Sequence, residues 1–249
     1  MKLSVVIPVY NEERTVVTVI ERVRATRFEK EILVVDDGST DGTREVLARY
    51  AKDPEVRVFH QPANRGKGAA LRRGFEEATG DVVLVQDADM EYSPEDYPKL
   101  LEPILSGQAD VVYGSRYSGA SRRVDGHIHT LGNKALTALS NLLTDLHMTD
   151  METCYKVFRA EVIKSIRLVS DRFGFEPEVT AKLARMPGLR IYEVPISYNY
   201  RTYAEGKKIG WKDGVSTVAR ILYFNLAHRA NAAYLKDPED VVRSLKPLK

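Results

Sequence analysis

Four times within the first ninety residues an apolar run breaks off into polar and small residues, and a helical pattern follows. The runs are residues 3–9, 31–35, 56–60 and 82–85. After the first, Val16, Val19, Ile20 and Val23 recur at helical spacing and predict a helix from 12 to about 25, with Asn11 as its N-cap. Asp41 or Thr43 caps a second helix running to about residue 50, and a third helix runs from the Gly66 region to about residue 78. Strand and helix in strict alternation predict an α/β fold with a mainly parallel sheet flanked by helices. In such sheets the ligand crevice lies beyond the carboxyl ends of the strands. The uncommon residues of this chain fall at those ends: Tyr10 and Asn11, Asp36 and Asp37, Gly66 and Lys67, then Asp87 and Asp89.

The fourth end carries the most chemistry. Val82, Val83, Leu84 and Val85 read as a strand buried on both faces, and Gln86 leads directly into Asp87, Ala88, Asp89 and, two residues on, Glu91. Clustered negative charge at the end of a buried strand is costly unless something positive sits there. Carboxylate oxygens suit the hard ions Mg²⁺ or Mn²⁺, which leave coordination positions for substrate phosphates. On the Asp-x-Asp spacing alone, a solvated acidic loop is an equal alternative.

Composition removes several other classes. With 37 basic and 35 acidic side chains the net charge is +2, which gives no case for nucleic acid. Cys154 is the single cysteine, so a disulfide framework and a cysteine-rich zinc site are excluded, and a reducing cytosol is expected. Pro8, Asn11, Glu12 and Glu13 interrupt the first apolar run too early for a signal peptide. No uncharged apolar stretch reaches the roughly eighteen residues that a membrane span needs. The first turn lacks Gly-x-Gly-x-x-Gly and no P-loop pattern follows, which argues against the usual dinucleotide and NTP folds.

The run from Val6 to Glu12, the run from Val35 to Asp41, Asn64-Arg65-Gly66-Lys67-Gly68 and Asp87-Ala88-Asp89 together resemble glycosyltransferase family 2, nearest to the dolichol-phosphate mannose synthases and bacterial polyprenyl-phosphate glycosyltransferases. The likeness continues through Gly114-Ser115-Arg116-Tyr117 and the segment from Asp150 to Lys156, to about residue 211. It implies a GT-A (Rossmann-like nucleotide-diphospho-sugar transferase) catalytic domain over residues 1–211 and a C-terminal amphipathic helix and tail over 212–249. Pro8, Tyr10 and Glu12 would line the nucleotide, Asp37 would accept from the base, and Gly66 and Lys67 would lie near the base edge. Asp87, Ala88 and Asp89 would meet the donor diphosphate, with Mg²⁺ or Mn²⁺ on Asp87 and Asp89. Glu91 stands where the subgroup often has Gln, as a third ligand or only a neighbour.

The resemblance also assigns Arg116, Arg122, Arg123, Arg201 and Lys207 to the diphosphate or to an acceptor phosphate, and sets Asp150 beside the transferring sugar. Arg116, Asp89 and Asp150 are the implied catalytic residues. The residue types agree, since arginines on a Gly/Ser loop suit phosphate. A hydroxyl acceptor would need Asp150 as a base, whereas a phosphate monoester arrives already ionised. The implied reaction is inverting, metal-dependent transfer of a hexose from a GDP-mannose or UDP-glucose type donor to a polyprenyl or dolichyl phosphate. A saccharide acceptor and a nucleotide-sugar-binding protein without turnover are the alternatives.

Leu131, Ala135, Leu139, Leu142 and Leu146 form one helical stripe, and Trp211, Val215, Val218, Leu222 and Leu226 another, on a helix expected from 212 to about 234. Core packing and a lipid-facing surface both fit such stripes. With the resemblance, the second implies peripheral association with the cytoplasmic face of a membrane, directly or through a membrane partner.

Overall fold

The computed structural model describes residues 1–119, 127–172, 174–200, 211–228 and 233–248; of residues 127 and 211–213 only the backbone is described. Arg122, Arg123, Arg201 and Lys207, expected at phosphates, lie outside the described residues.

Seven strands form one sheet in the order β3-β2-β1-β4-β6-β5-β7. They are β1 (Leu3–Val9), β2 (Lys30–Asp36), β3 (Val56–His60), β4 (Val82–Val85), β5 (Val111–Ser115), β6 (Lys156–Arg159) and β7 (Ile191–Pro195). All run parallel except β6, which pairs antiparallel with β4 on one side and β5 on the other. The apolar runs of β1, β2 and β4 are buried along their length because helices cover the sheet. Each buried valine or leucine contributes about 1.5–3 kcal/mol relative to exposure. The order of the chain reverses between β1 and β4, so their carboxyl ends flank the crevice that such a sheet provides.

The first connection differs from expectation. Helix α1 (Val16–Arg24) begins at Thr15, not at Asn11. Asn11 takes a left-handed conformation, φ 53°, which asparagine tolerates better than most residues. Its Oδ1 accepts the Thr40 amide at 2.8 Å and its own amide donates to Ser39 Oγ at 3.0 Å. The Glu12 amide likewise donates to Thr43 Oγ1, at 3.0 Å. A side chain that could have capped a helix instead ties the loop after β1 to the loop after β2. Asp41 accepts the Thr43 amide at the head of α2 (Thr43–Leu47), close to the capping role expected of it.

Helix α3 (Lys67–Glu77) covers β1 and β2, and α4 (Tyr97–Leu105) lies on β5 and β7 with Tyr97, Leu100, Leu101 and Ile104 buried as their spacing predicts. Further along come α5 (His127–Thr144), α6 (Ala160–Ser165), α7 (Phe175–Leu183), α8 (Trp211–Leu222) and α9 (Pro238–Ser244). The last long helix ends sooner than expected. It passes into a π-helical turn at Tyr223–Ala227, and His228 is already extended.

Helix α5 turns part of its apolar stripe outward, while Leu139 and, just past its end, Leu146 are half-buried. Ile128, Leu131 and Leu142 are 83%, 60% and 80% exposed, while Thr130, Thr137 and Ser140 face the protein. Its neighbour α8 divides its apolar residues: Ile221 and, just beyond, Phe224 are buried, whereas Val215, Val218, Leu222, Tyr223 and Leu226 are exposed. Core packing therefore accounts for only part of these stripes: Leu146 packs against the core, whereas Leu131, Leu142, Val215 and Leu226 do not. No helix among the described residues is long and apolar enough to cross a membrane.

Candidate active site

Because β6 runs against its neighbours, the segment that enters it lies at the edge where β4 and β5 leave the sheet. That reversal brings Asp150 to Arg116. Asp150 is fully buried, and its Oδ2 accepts from Arg116 Nε at 2.7 Å and from the Arg116 amide at 3.0 Å, while Oδ1 accepts from Nη2 at 2.7 Å. This is a bidentate fork, the strongest form of the pair. Burial alone would lower the guanidinium pKa, but Asp150 holds it well above the ordinary value. The arginine also lies over the Tyr198 ring at 5.2 Å and near that of Tyr117. Glu193, on β7, accepts the amides of Thr149 and Asp150, each at 3.0 Å, and so fixes the segment from behind.

At the end of β4 the turn is tight. Met90 has φ 65°, a left-handed conformation that costs an unbranched non-glycine residue about 1–3 kcal/mol. The Glu91 amide folds back onto Asp89 Oδ1 at 3.1 Å. Lys67 Nζ reaches Asp87 at 3.0 Å and Glu176 at 3.3 Å. Its ammonium would be depressed by burial alone, and these two carboxylates raise it well above the ordinary value. Lys67 thus faces the β4 end. Glu91 Oε2 accepts the Tyr198 hydroxyl at 2.9 Å, and its carbonyl accepts the Asn199 amide at 2.8 Å. Among the described residues no three His, Cys, Asp or Glu side chains converge to hold an ion. Asp87, Asp89 and Glu91 are neighbours in sequence, and Glu91 joins the β4 turn to the strand end of β7.

On the β2–β3 side, both oxygens of Asp37 are occupied. They accept the amides of Arg65 at 3.0 Å and Gly66 at 2.6 Å. Burial pushes this carboxyl above its ordinary pKa despite those bonds. Asp36, fully buried, is kept below it by Ser39, His60 and Arg44, against the effect of desolvation. Gly66 has φ 103°, and a Cβ there would stand 2.6 Å from the Asp171 carbonyl; one at Gly68 would stand 2.2 Å from that of Ser170. The missing side chains admit the 170–172 backbone, a use the glycine spacing did not reveal. Pro8, Tyr10 and Glu12 cluster at the β1 end, where Glu12 Oε2 accepts from Thr15. Ala88 is buried between the two aspartates.

Sequence reasoning missed the supports. Gln86 is fully buried and its Oε1 accepts the hydroxyls of Tyr97 at 2.9 Å and Tyr155 at 2.7 Å, while Nε2 donates to the Asp87 carbonyl at 2.9 Å. Tyr92 packs between Tyr155 and Tyr198, with ring centroids 4.9 and 5.2 Å away. A buried glutamine directly before an acidic turn was the one available signal. Burial, followed by the charge of Asp87, raises the Cys154 thiol well above its ordinary pKa, so it packs as a neutral group and offers no thiolate.

The site therefore joins two buried charged assemblies along one sheet edge: Lys67 with Asp87 and Glu176, and Arg116 with Asp150. The chain is 34% identical over 237 residues to an undecaprenyl-phosphate mannosyltransferase of Micrococcus luteus, with 92% of this chain and 96% of that protein covered. It is 33% identical to an undecaprenyl-phosphate 4-deoxy-4-formamido-L-arabinose transferase of Pectobacterium carotovorum, covering 82% of this chain and 62% of that one. Among solved structures, glucosyl-3-phosphoglycerate synthase of Mycobacterium tuberculosis in complex with Mn²⁺, UDP and phosphoglyceric acid superposes with a TM-score of 0.71 at 23% identity, covering 92% of this chain and 80% of that one. That likeness shows the GT-A fold. The sequence model described as glycosyl transferase family 2 matches residues 4–167, and with these relatives it shows that the chain is a glycosyltransferase belonging to that family.

Proposed function

We propose that this enzyme transfers a hexose, with inversion, from a nucleoside-diphosphate sugar to the phosphate of a polyprenyl lipid at a membrane surface. The observation that carries the choice of acceptor is the Arg116–Asp150 fork. A hydroxyl acceptor needs a base with a free lone pair. Asp150 is fully buried and takes three donors, the amide, Nε and Nη2 of Arg116, which suits it to positioning the guanidinium more than to serving as a base. A phosphate monoester needs no base, and a fixed guanidinium suits it. An acceptor phosphate oxygen attacks the anomeric carbon as the bond from that carbon to the diphosphate oxygen breaks. The electron pair leaves with the nucleoside diphosphate.

Asp87 and Asp89 offer hard oxygen donors that fit Mg²⁺ or Mn²⁺, and the phosphate oxygens of the donor would complete such a site. A divalent ion held there would stabilise the charge that develops on the departing diphosphate. Lys67 holds Asp87 in place through their ion pair. Asp37 closes the Arg65–Gly66 loop beside the nucleotide, and Pro8, Tyr10 and Glu12 lie along its other side. The relatives' printed names, an undecaprenyl-phosphate mannosyltransferase among them, support a lipid phosphate acceptor.

Purified enzyme with Mn²⁺ or Mg²⁺ and GDP-mannose or UDP-glucose should form an extractable lipid-linked hexose from undecaprenyl phosphate and no product from soluble saccharides. Transfer to saccharides alone would overturn the acceptor assignment.

The outward stripes of α5 and α8 support the lipid surface. Isolated exposed leucines are ordinary, but apolar faces on two adjacent helices are not. Replacing Leu131 and Leu142 together by Glu should leave the melting temperature within a few degrees, because both side chains are exposed. The same change should abolish co-sedimentation with phosphatidylglycerol vesicles. Sedimentation equal to the unsubstituted enzyme would show that this face does not meet lipid.

A further inference from the structure

Between the two charged assemblies stands one acid that neither of them uses. Glu152 follows Asp150 by two residues in the segment that enters β6. Its Oε1 is enclosed and has no hydrogen-bond partner among the described residues. The charges acting on it are Glu176 and Asp150, which disfavour its ionisation, and Lys156 and Arg116, which favour it. With burial as the largest cause and Glu176 next, its pKa is pushed up to about 8. Lys156, fully buried, is already bonded to the carbonyls of Met151 and Thr153. An enclosed carboxyl oxygen without a partner costs about 1–3 kcal/mol and calls for an explanation.

The chemistry of the surroundings narrows what could satisfy it. A phosphate would present further lone pairs to a carboxyl oxygen. Among the described residues no three acidic, histidine or cysteine side chains converge to hold a metal ion, and Lys156 already acts there as a cation. A neutral O–H donor meets neither objection. In the reaction proposed above, on which this step rests, the transferring hexose must lie between the Asp87–Asp89 end and Arg116. Glu152 stands two residues from Asp150 in the segment that enters β6, and Glu176, which pairs with Lys67, is among the charges that act on it together with Arg116.

We infer that Glu152 is the residue that recognises the donor hexose, accepting a hydrogen bond from one of its hydroxyl groups. It recognises sugar, not nucleotide. Its contribution is therefore confined to the difference in affinity between a nucleotide-sugar and the bare nucleoside diphosphate.

The test compares unsubstituted enzyme, Glu152→Gln and Glu152→Met by calorimetry with Mn²⁺. The ligand pairs are UDP with UDP-glucose and GDP with GDP-mannose, and melting temperatures are recorded alongside. Methionine keeps the volume and removes the unsatisfied carboxyl. Glu152→Met should bind the nucleoside diphosphate within twofold of the unsubstituted enzyme, with an equal or higher melting temperature. The advantage of the nucleotide-sugar should fall about tenfold, the scale of a lost hydrogen bond to a buried polar group. Glu152→Gln, which keeps an accepting oxygen of the same reach, should retain most of that advantage.

Equal weakening of both ligands, or no weakening of either, would overturn the inference. So would a lowered melting temperature with unchanged binding, which marks a structural acid. If the unsubstituted enzyme binds none of the four ligands, the donor reading itself fails and this assignment falls with it.

Discussion

Asp89→Ala should reduce hexose transfer by at least two to three orders of magnitude and leave the fold intact. The two halves of this expectation have separate causes. Asp89 is half-buried, and its side chain accepts the Glu91 amide at 3.1 Å within the β4 turn. Losing one such turn bond costs about 1 kcal/mol, small against the stability of a domain of this size. In the proposed reaction, charge builds on the departing diphosphate beside this carboxylate. Removing a preorganised group that stabilises developing charge costs about 10²–10³ in rate, and losing an ion along with it costs more. Transfer to undecaprenyl phosphate, measured beside circular dichroism and a melting curve, checks both halves. Activity within tenfold of the unsubstituted enzyme would remove Asp89 from the reacting centre.

Arg116→Ala should be the most damaging single change to stability among the site residues. It strands Asp150 as a fully buried carboxylate that loses both guanidinium bonds and keeps the amide of residue 116. Breaking a buried pair from one side costs about 3–5 kcal/mol. In a chain of this length that corresponds to a melting temperature lower by roughly 10 °C. Asp150→Ala strands the guanidinium and should cost a similar amount. The combined Arg116→Met and Asp150→Leu protein should recover most of the lost stability, because two apolar side chains leave no unpaired charge. It should recover none of the activity, since the fixed cation is gone. Losses that simply add in the double variant would show that the two side chains are energetically independent.

The half of the fold that repeats a single rule was legible in the sequence. β1 to β4 and the helices between them follow from alternation, and the buried faces of α1 and α4 fall where Val16, Val19, Ile20, Tyr97 and Leu100 predict. The acidic end of β4 and the family resemblance pointed to the carboxyl edge of the sheet, where Lys67 meets Asp87 and Arg116 meets Asp150. What stayed hidden was pairing at a distance. β6 is four residues long, with Lys156 and Arg159 at its ends and only Val157 and Phe158 apolar, so it carries no strand period of its own. Its antiparallel insertion is a tertiary fact, and with it goes the contact of Arg116 with Asp150. Asn11 was misplaced for a related reason: its side chain has a local capping use and a cross-loop use, and only the folded loops decide between them. The stripe on α5 was visible as periodicity, but period alone cannot tell whether a face meets protein or solvent.

The reversed strand has a further consequence, for the order in which the molecule can be assembled. The carboxylates of β4 are positioned by β1, which lies about eighty residues earlier and pairs with β4 in parallel. The fork between Arg116 and Asp150 must wait for β6 to thread between β4 and β5, and its brace on Glu193 must wait for β7. In a chain made from its N-terminus these segments are added after β4. A nascent chain that has completed β4 already holds the acids at its sheet edge, yet it lacks the cation that would meet an acceptor. In the proposed reaction, the carboxylates on the donor side and the cation on the acceptor side therefore enter the molecule at different moments of its synthesis.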